Sequence, residues 1–310
     1  MRCLPFSLRR SSYGTLPVIV LCLAAAPGGA LRAADPGKEE PSAAERFLRI
    51  RPRYYRWHVD PGQEWTEKNT SYSHLDWDVP LSQAALVLVD VWDRHYIKEP
   101  EVRAERIIQE KIRPLLAACR RAGLQIIHAP SPAQAKTCAA WVGRERQASP
   151  GAAAARPAEP PWPPADFRAK RGPYAKYARP DEPMAKVRAK RLEGLSIHPD
   201  VRPERNDVVV ATGEELHQYC REKGILFLFY AGFNTNACVL MRDYGTLEMG
   251  KRGYEIIILR DCTTGMESFE TSDQLWQTRG AILLLEMFGS YSLTLDELMA
   301  GLPDGRGDGR

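Results

Sequence analysis

The sequence lacks the cysteine spacings that mark a disulfide scaffold or a zinc site. Its seven cysteines are scattered over 310 residues, with no CxxC pair and no cluster of cysteine and histidine. Five of them lie beyond residue 34, and this odd number leaves at least one thiol free. These spacings argue against a small disulfide-stabilised domain and against structural zinc. We therefore expect neither a metal nor an organic cofactor.

The sequence also lacks a long apolar run and, apart from its first residues, an excess of one charge. The apolar run at 16–26 is shorter than the ~20 residues of a membrane span. Arginines precede it and small residues follow it, as in a secretory signal peptide cleaved between Ala30 and Ala34; a membrane anchor is the alternative. Removing the four arginines of residues 1–34 from the 43 basic residues leaves 39 basic and 39 acidic residues. We therefore expect an exported protein, in the periplasm or outside the cell, with no stable membrane span and no nucleic-acid partner.

Short apolar runs alternate with segments of helical periodicity from residue 81 onward. The runs are apolar on consecutive positions, which is typical of parallel strands covered on both faces. They lie at residues 84–91, 124–129, 206–211, 225–231 and 254–259. Helices are expected at 99–123, 214–223, from the turn after Gly232 to about Gly250, and at 272–288 and 296–302. The alternation predicts an α/β domain over 81–303, a three-layer αβα sandwich around a doubly wound, mostly parallel sheet.

Three regions fall outside this rhythm. Residues 35–80 are interpreted as a polar linker followed by an aromatic-rich N-terminal extension, either a hairpin packed on the domain or a sugar-binding platform. Residues 130–183 are an irregular excursion, because their alanine- and proline-rich middle cannot sustain a regular core element. Loops of this length are usually lids, interface arms or disordered segments. Residues 304–310 are expected to form a flexible tail.

Two reactive side chains follow predicted strands. Asp90 interrupts the first apolar run, and a carboxylate near a buried strand end is costly unless it is paired or takes part in chemistry. Cys238 follows the run at 225–231, and the polar residues before it are suitable helix N-caps, so the helix N-terminus would favour its thiolate. Ligands of open α/β sheets bind at the carboxyl ends of strands. The pair suits acyl transfer, in which a thiolate attacks a carbonyl and a carboxylate handles the proton.

Three stretches carry a resemblance to a known family: LVLVDVWD at 86–93, GFNTNACV at 232–239 and GYEIIILRDCT at 253–263. With them, the sequence resembles the isochorismatase-like cysteine hydrolases, a superfamily that includes nicotinamidases and N-carbamoyl amidases. The second stretch is the most specific. The resemblance implies a three-layer α/β fold, Cys238 as the nucleophile, Asp90 as the general acid/base, and assembly into homo-oligomers.

The resemblance also implies how the cysteine turn holds a small-molecule substrate. A cis peptide near Phe233–Asn234 would aim backbone N–H groups at the oxyanion. Oxyanion or substrate contacts are accordingly expected from Asn234, Thr235 and Ala237.

One catalytic residue of the family pattern is missing. The family has a lysine just after the strand at 206–211, where Ala211 and Thr212 stand. A substitute base would have to come from another segment of the chain. His128 is interpreted as a core residue and not as this base. The Asp-x-His-x-His metal pattern of nicotinamidases is also not evident, which argues against that activity. The candidates for the substitute base are His95, Lys98, Lys136 and Lys186.

Two functions of different classes stay open. The first is an exported cysteine hydrolase that cleaves a C–N bond of a small amide or carbamoyl compound through Cys238. The second is a catalytically silent member that binds a small ligand or a partner in the same cleft. The missing lysine favours the second function, whereas the joint presence of Asp90 and the cysteine turn favours the first. A nucleotide-binding module has little support, because no glycine-rich phosphate loop follows the first strand.

Overall fold

The computed structural model describes residues 45–143 and 162–303. The expected signal peptide at 1–34, most of the polar linker, residues 144–161 of the excursion and the expected tail lie outside the described residues. Within the described ranges, no helix is both long enough and apolar enough to cross a membrane.

The aromatic-rich extension forms four short strands. These are β1 (Phe47–Ile50), β2 (Arg53–Arg56), β3 (Ser71–His74) and β4 (Trp77–Pro80). β1 pairs antiparallel with β4, and β2 pairs antiparallel with β3. Aromatic rings face one another between these strands and the domain: Tyr55 lies 5.1 Å from Tyr72, and Trp77 lies 4.6 Å from Tyr291 between ring centroids. The extension therefore packs on the edge of the main sheet.

Strands and helices then alternate along the chain. They are β5 (Ala84–Val89), α1 (Lys98–Ile107), α2 (Arg113–Ala122), β6 (Gln125–Ala129), α3 (Pro132–Ala135), α4 (Ala165–Arg168), α5 (Ala185–Arg191), β7 (Val208–Val209), α6 (Gly213–Lys223), β8 (Phe227–Phe233), α7 (Thr246–Lys251), β9 (Glu255–Thr264), α8 (Trp276–Met287), β10 (Tyr291–Leu293) and α9 (Leu295–Gly301). A π-helical turn at Ile108–Ile112 joins α1 to α2, so the helix expected over 99–123 is continuous apart from this local widening.

The main sheet confirms the predicted fold class. Its strand order is β3-β2-β10-β9-β8-β5-β6-β7, and the six strands from β10 to β7 are parallel. β5 is buried along its whole length, as its apolar run predicts. Leu86 and Leu88 point into a core with α2 and α9, whereas Ala85 and Val87 point into a second core with α6 and α8. The sheet is therefore the middle of three layers.

Candidate active site

Asp90 stands immediately after β5, where the chain leaves the sheet. Its backbone has a φ of 45°, a left-handed conformation that is uncommon for a residue other than glycine. Its side chain is only 4% exposed, and its backbone N–H donates to the Ala129 carbonyl oxygen at 3.1 Å. The carboxylate oxygen Oδ1 accepts a hydrogen bond of 3.1 Å from the Ser131 hydroxyl. The carboxylate is thus held at the carboxyl ends of β5 and β6.

β8 brings the cysteine turn to the same edge of the sheet. Gly232 pairs with Val89, and a β-carbon on Gly232 would come within 2.0 Å of the Val89 carbonyl oxygen. Gly232 also has a φ of 116°, so both the space and the backbone conformation require glycine. The next peptide bond, Phe233–Asn234, is cis, at the position that the resemblance implies.

The turn that carries Cys238 is fixed by hydrogen bonds on both sides. It is a π-helical turn at Thr235–Val239, in which the Asn234 carbonyl oxygen accepts from the Val239 N–H at 3.1 Å. The hydroxyls of Thr235 and Thr263 lie 2.6 Å apart. The Asn236 carboxamide donates to the Met266 carbonyl oxygen and accepts from the Met266 N–H. These contacts hold the turn against the end of β9.

The helix expected from this turn to about Gly250 is wrong in its extent. The chain bends at residues 242–245 and only then enters α7. Tertiary contacts produce the bend: the buried Tyr244 hydroxyl donates to the Pro130 carbonyl oxygen, and the Asp243 carboxylate accepts from the Gly213 N–H. These contacts join segments that are distant in sequence, so local periodicity does not reveal them.

Asp90 and Cys238 lie at the same edge of the sheet. They are close enough to act on each other: the thiol lowers the pKa of Asp90, and the carboxylate raises the pKa of Cys238. The expected pairing of these two side chains is therefore present in the structure.

A third group, Arg242, completes the cluster. Its guanidinium acts on the Cys238 sulfur and lowers the pKa of the thiol, and its Nη2 atom lies 3.6 Å from Asp90 Oδ2. The same Nη2 atom donates to the Ser131 hydroxyl at 3.1 Å. Four side chains from three segments thus form one polar cluster: Asp90, Ser131, Cys238 and Arg242.

The protonation states follow from burial and from these charges. Burial raises the pKa of the Cys238 thiol to about 11, and the negative charge of Asp90 adds to this effect, while Arg242 opposes it. The favourable effect expected of the helix N-terminus therefore does not outweigh burial in the free protein. Burial also raises the pKa of Asp90, although hydrogen bonds from Cys238 and Ser131 and the charge of Arg242 oppose the shift. At neutral pH the Cys238 sulfur is therefore protonated.

The remaining residues of the predicted oxyanion or substrate site are placed in the same turn. The Ala237 N–H donates to the Asn234 carbonyl oxygen at 3.1 Å, so it is already engaged. The Thr235 hydroxyl is buried and used by Thr263. The Asn234 side chain is buried, and its Oδ1 atom has no hydrogen-bond partner. Asn234 is therefore the member of this set whose side-chain oxygen is without a partner in the free protein.

Arg242 is the basic group among the main causes of the Cys238 pKa shift, and none of the four expected candidates is among these causes. His95 accepts from the Ile97 N–H and stacks on Tyr96. The three lysines lie in other segments: Lys98 begins α1, Lys136 follows α3 and Lys186 lies in α5. His128 is buried and its ring contacts Asp207 at 3.1 Å, as expected of a core residue.

Sequence reasoning missed Arg242 although a signal was available. It lies four residues after Cys238, and side chains at this spacing share a helix face. The Arg242 N–H indeed donates to the Cys238 carbonyl oxygen at 3.2 Å. Within the described ranges, no group of three or more His, Cys, Asp or Glu side chains could hold a metal ion.

Comparison with protein families gives one match. The model of the isochorismatase domain matches residues 84–285, from the start of β5 to the last turn of α8. Comparison with curated proteins gives no significant match.

The solved structures that match the chain are distant in sequence. A cysteine hydrolase from Pseudomonas syringae pv. phaseolicola 1448A is 16% identical, covers 74% of this chain and 97% of its own, and has a TM-score of 0.46. An isochorismatase-like hydrolase from Alkaliphilus metalliredigens is 15% identical, with coverages of 70% and 98% and a TM-score of 0.42. N-carbamoylsarcosine amidase from Thermoplasma acidophilum is 15% identical, with coverages of 69% and 97% and a TM-score of 0.37.

Proposed function

The chain belongs to the isochorismatase family, and on this basis we propose that it is a cysteine hydrolase that cleaves a C–N bond of a small amide or carbamoyl compound. In this proposal Cys238 is the nucleophile and Asp90 is the general acid/base. The observation that carries it is the placement of Cys238 beside Asp90 at the carboxyl ends of two neighbouring parallel strands. Thiol and carboxylate in contact are the two groups that acyl transfer requires.

The chemistry begins with a protonated thiol. As the sulfur attacks the carbonyl carbon, Asp90 takes its proton and a C–S bond forms. Asp90 then gives this proton to the leaving nitrogen, the C–N bond breaks, and the amine departs from an acyl-enzyme. Water attacks the acyl group, Asp90 accepts a proton from it, and the sulfur leaves and is protonated again. Burial raises the pKa of Asp90, so its carboxylate accepts the thiol proton more readily than an ordinary aspartate would.

Ligand binding without turnover is the competing function. It is favoured by the raised pKa of the Cys238 thiol, about 11, which leaves little thiolate at neutral pH. A silent member would bind a small amide reversibly in the cleft and release no product.

The deciding experiment measures ammonia or amine release from a panel of small primary amides, N-carbamoyl compounds and esters. We expect turnover by the natural chain, a loss of about a thousandfold or more in Cys238→Ala, and an acyl adduct on Cys238 detectable by mass spectrometry. Cys138 is also partly exposed and hydrogen-bonds Gln134 outside the cluster, so Cys138→Ser is the matched control and keeps full turnover.

The outcomes separate the two functions. Undiminished turnover in Cys238→Ala would refute the nucleophile. Saturable binding of an amide with no product and no adduct would establish the silent member instead.

Export is a further part of this proposal and is supported by the leader-like pattern of residues 1–34. The N-terminus of the mature protein, determined by mass spectrometry from fractionated cells, would begin between residues 31 and 35 if the leader is cleaved as expected. An intact N-terminus in the cytosolic fraction would contradict export. Homo-oligomeric assembly stays a prediction, which sedimentation of the purified chain can check.

A further inference from the structure

Arg242 is attached to the site through three independent contacts. It follows Cys238 by one turn, and its Nη2 atom donates to Ser131 Oγ at 3.1 Å and lies 3.6 Å from Asp90 Oδ2. The Arg242 guanidinium also reaches the Cys238 sulfur. Arg242 therefore lies beside both the proton donor, Cys238, and the proton acceptor, Asp90.

We propose that Arg242 is the cation of the reaction site, where its guanidinium contacts sulfur and carboxylate together and stabilises whichever of them carries the negative charge. This inference rests on the proposed function and adds to it a catalytic residue. The pair of Cys238 and Asp90 holds one proton and one negative charge, whichever member is ionised. A cation in contact with only one of the two side chains would stabilise the negative charge there and oppose its movement to the other. A cation in contact with both side chains does not oppose the proton transfer.

The chemistry of the guanidinium fits this position. It is planar, offers several N–H donors in a fixed fork and stays charged in proteins, so it can bridge two acceptors but cannot itself serve as the base. An ammonium group is a point charge and can lose its proton when buried. Arg242 would therefore supply, from another segment, the positive charge of the missing lysine after Val210. It would not supply any acid–base function of that lysine.

Ser131 is the positioning residue for this cation. Its hydroxyl accepts from Arg242 Nη2 and donates to Asp90 Oδ1, so it fixes the guanidinium relative to the carboxylate. Tyr244 is a further titratable group beside this cluster and interacts electrostatically with Arg242. Burial raises its pKa and its hydroxyl donates to the Pro130 carbonyl oxygen, so it stays neutral.

The test compares Arg242→Lys and Arg242→Gln with the natural chain in two assays: turnover of the best substrate, and the pH dependence of Cys238 alkylation by iodoacetamide. We expect Arg242→Gln to lose about 100-fold in kcat with a smaller change in KM, which is the usual scale for one charge-stabilising donor. Its alkylation profile should shift to higher pH. Arg242→Lys should recover part of both, because one ammonium keeps the charge but loses the bridging geometry.

Chemical rescue provides a readout that a structural role would not move. Guanidinium chloride at millimolar concentration should restore part of the turnover of Arg242→Ala, whereas urea at the same concentration should not. Arg252→Gln is the matched control, since Arg252 pairs with Glu214 on another surface, and it should match the natural chain in every assay.

Each result bears on a different statement. Turnover in Arg242→Gln within threefold of the natural chain, with an unchanged alkylation profile, would overturn the role of Arg242 while Cys238→Ala still abolishes activity. If Cys238→Ala retains turnover, the nucleophile itself is wrong. If Arg242→Gln fails to fold, the proposal is tested by Arg242→Lys and by the guanidinium rescue. The bridging role would be refuted if Arg242→Lys matched the natural chain in kcat and alkylation profile and guanidinium rescued no activity.

Discussion

Gly232 lies so close to Val89 that a β-carbon on the glycine would come within 2.0 Å of the Val89 carbonyl oxygen. The two residues are register partners at the ends of neighbouring parallel strands. Asp90 follows one of them directly and the turn of Cys238 follows the other. The approach of two backbones, rather than any side-chain contact, therefore sets the distance between the carboxylate and the thiol.

Replacing Gly232 with alanine should separate the strand ends and damage both stability and catalysis. The added methyl group has no space, and the φ of 116° is unfavourable for an L side chain. We expect a loss on the order of 3–5 kcal/mol in the free energy of unfolding, measured by urea denaturation. Gly253→Ala is the control, because Gly253 has a φ of 95° but no heavy atom near its would-be β-carbon. It should cost only about 1–2 kcal/mol, and equal losses in the two variants would contradict the steric explanation.

Replacing Asp90 with asparagine should have opposite effects on thiol reactivity and on turnover. The negative charge of Asp90 helps to raise the pKa of Cys238 to about 11, so its removal should lower that pKa. Alkylation of Cys238 at neutral pH would then become faster, about tenfold for each pKa unit. Turnover should nevertheless fall, because the general acid/base is gone. Alkylation rates and kcat measured on the same preparation check this, and slower alkylation in Asp90→Asn would contradict the sign.

The sequence predicts the sheet and the Asp90–Cys238 pair well because both depend on local patterns. The run from Ala84 to Val89 is apolar on every position, and such runs occur almost only in strands covered on both faces. Their carboxyl ends share one edge of a parallel sheet, which brings a residue after β5 near a residue after β8. These inferences need no knowledge of long-range contacts.

The local electrostatics were less predictable for a physical reason. The pKa of Cys238 depends on how deeply the sulfur is buried and on its contact with Asp90, and neither quantity has a sequence pattern. The bend before α7 depends on Tyr244 reaching Pro130, more than 100 positions earlier. Helical spacing could have predicted Arg242, because it follows Cys238 by four residues. The family pattern instead places its cation after Val210, outside the cysteine turn.

Asn236 is predicted to support catalysis by anchoring the cysteine turn. Its carboxamide makes two hydrogen bonds to the backbone of Met266, at 2.8 and 3.0 Å. Asn236→Ala should cost about 1–2 kcal/mol of unfolding free energy and lower kcat/KM by about tenfold, because the sulfur loses its fixed position. Asn69→Ala removes a comparable exposed hydrogen bond to Glu64 and serves as the control. An unchanged kcat/KM in Asn236→Ala would show that the turn is rigid without this anchor.

Asp207 should make the fold sensitive to acid. Burial opposes its ionisation, but hydrogen bonds from His128, Arg120 and the Glu204 N–H outweigh this and lower the pKa of Asp207 to about 2. Because the folded pKa lies below the unfolded value, the stabilisation is present above about pH 4 and is lost as the pH falls towards 2.

The natural chain should therefore lose about 2 kcal/mol of unfolding free energy through this group between pH 5 and pH 2, and Asp207→Asn should lack that part of the slope. Denaturant titrations at a series of pH values measure it. Asp78→Asn is the control, since its carboxylate forms an exposed pair with Arg49 at 3.7 Å that contributes little. A slope in Asp207→Asn as steep as that of the natural chain would mean that the buried contacts of Asp207 do not couple its ionisation to folding.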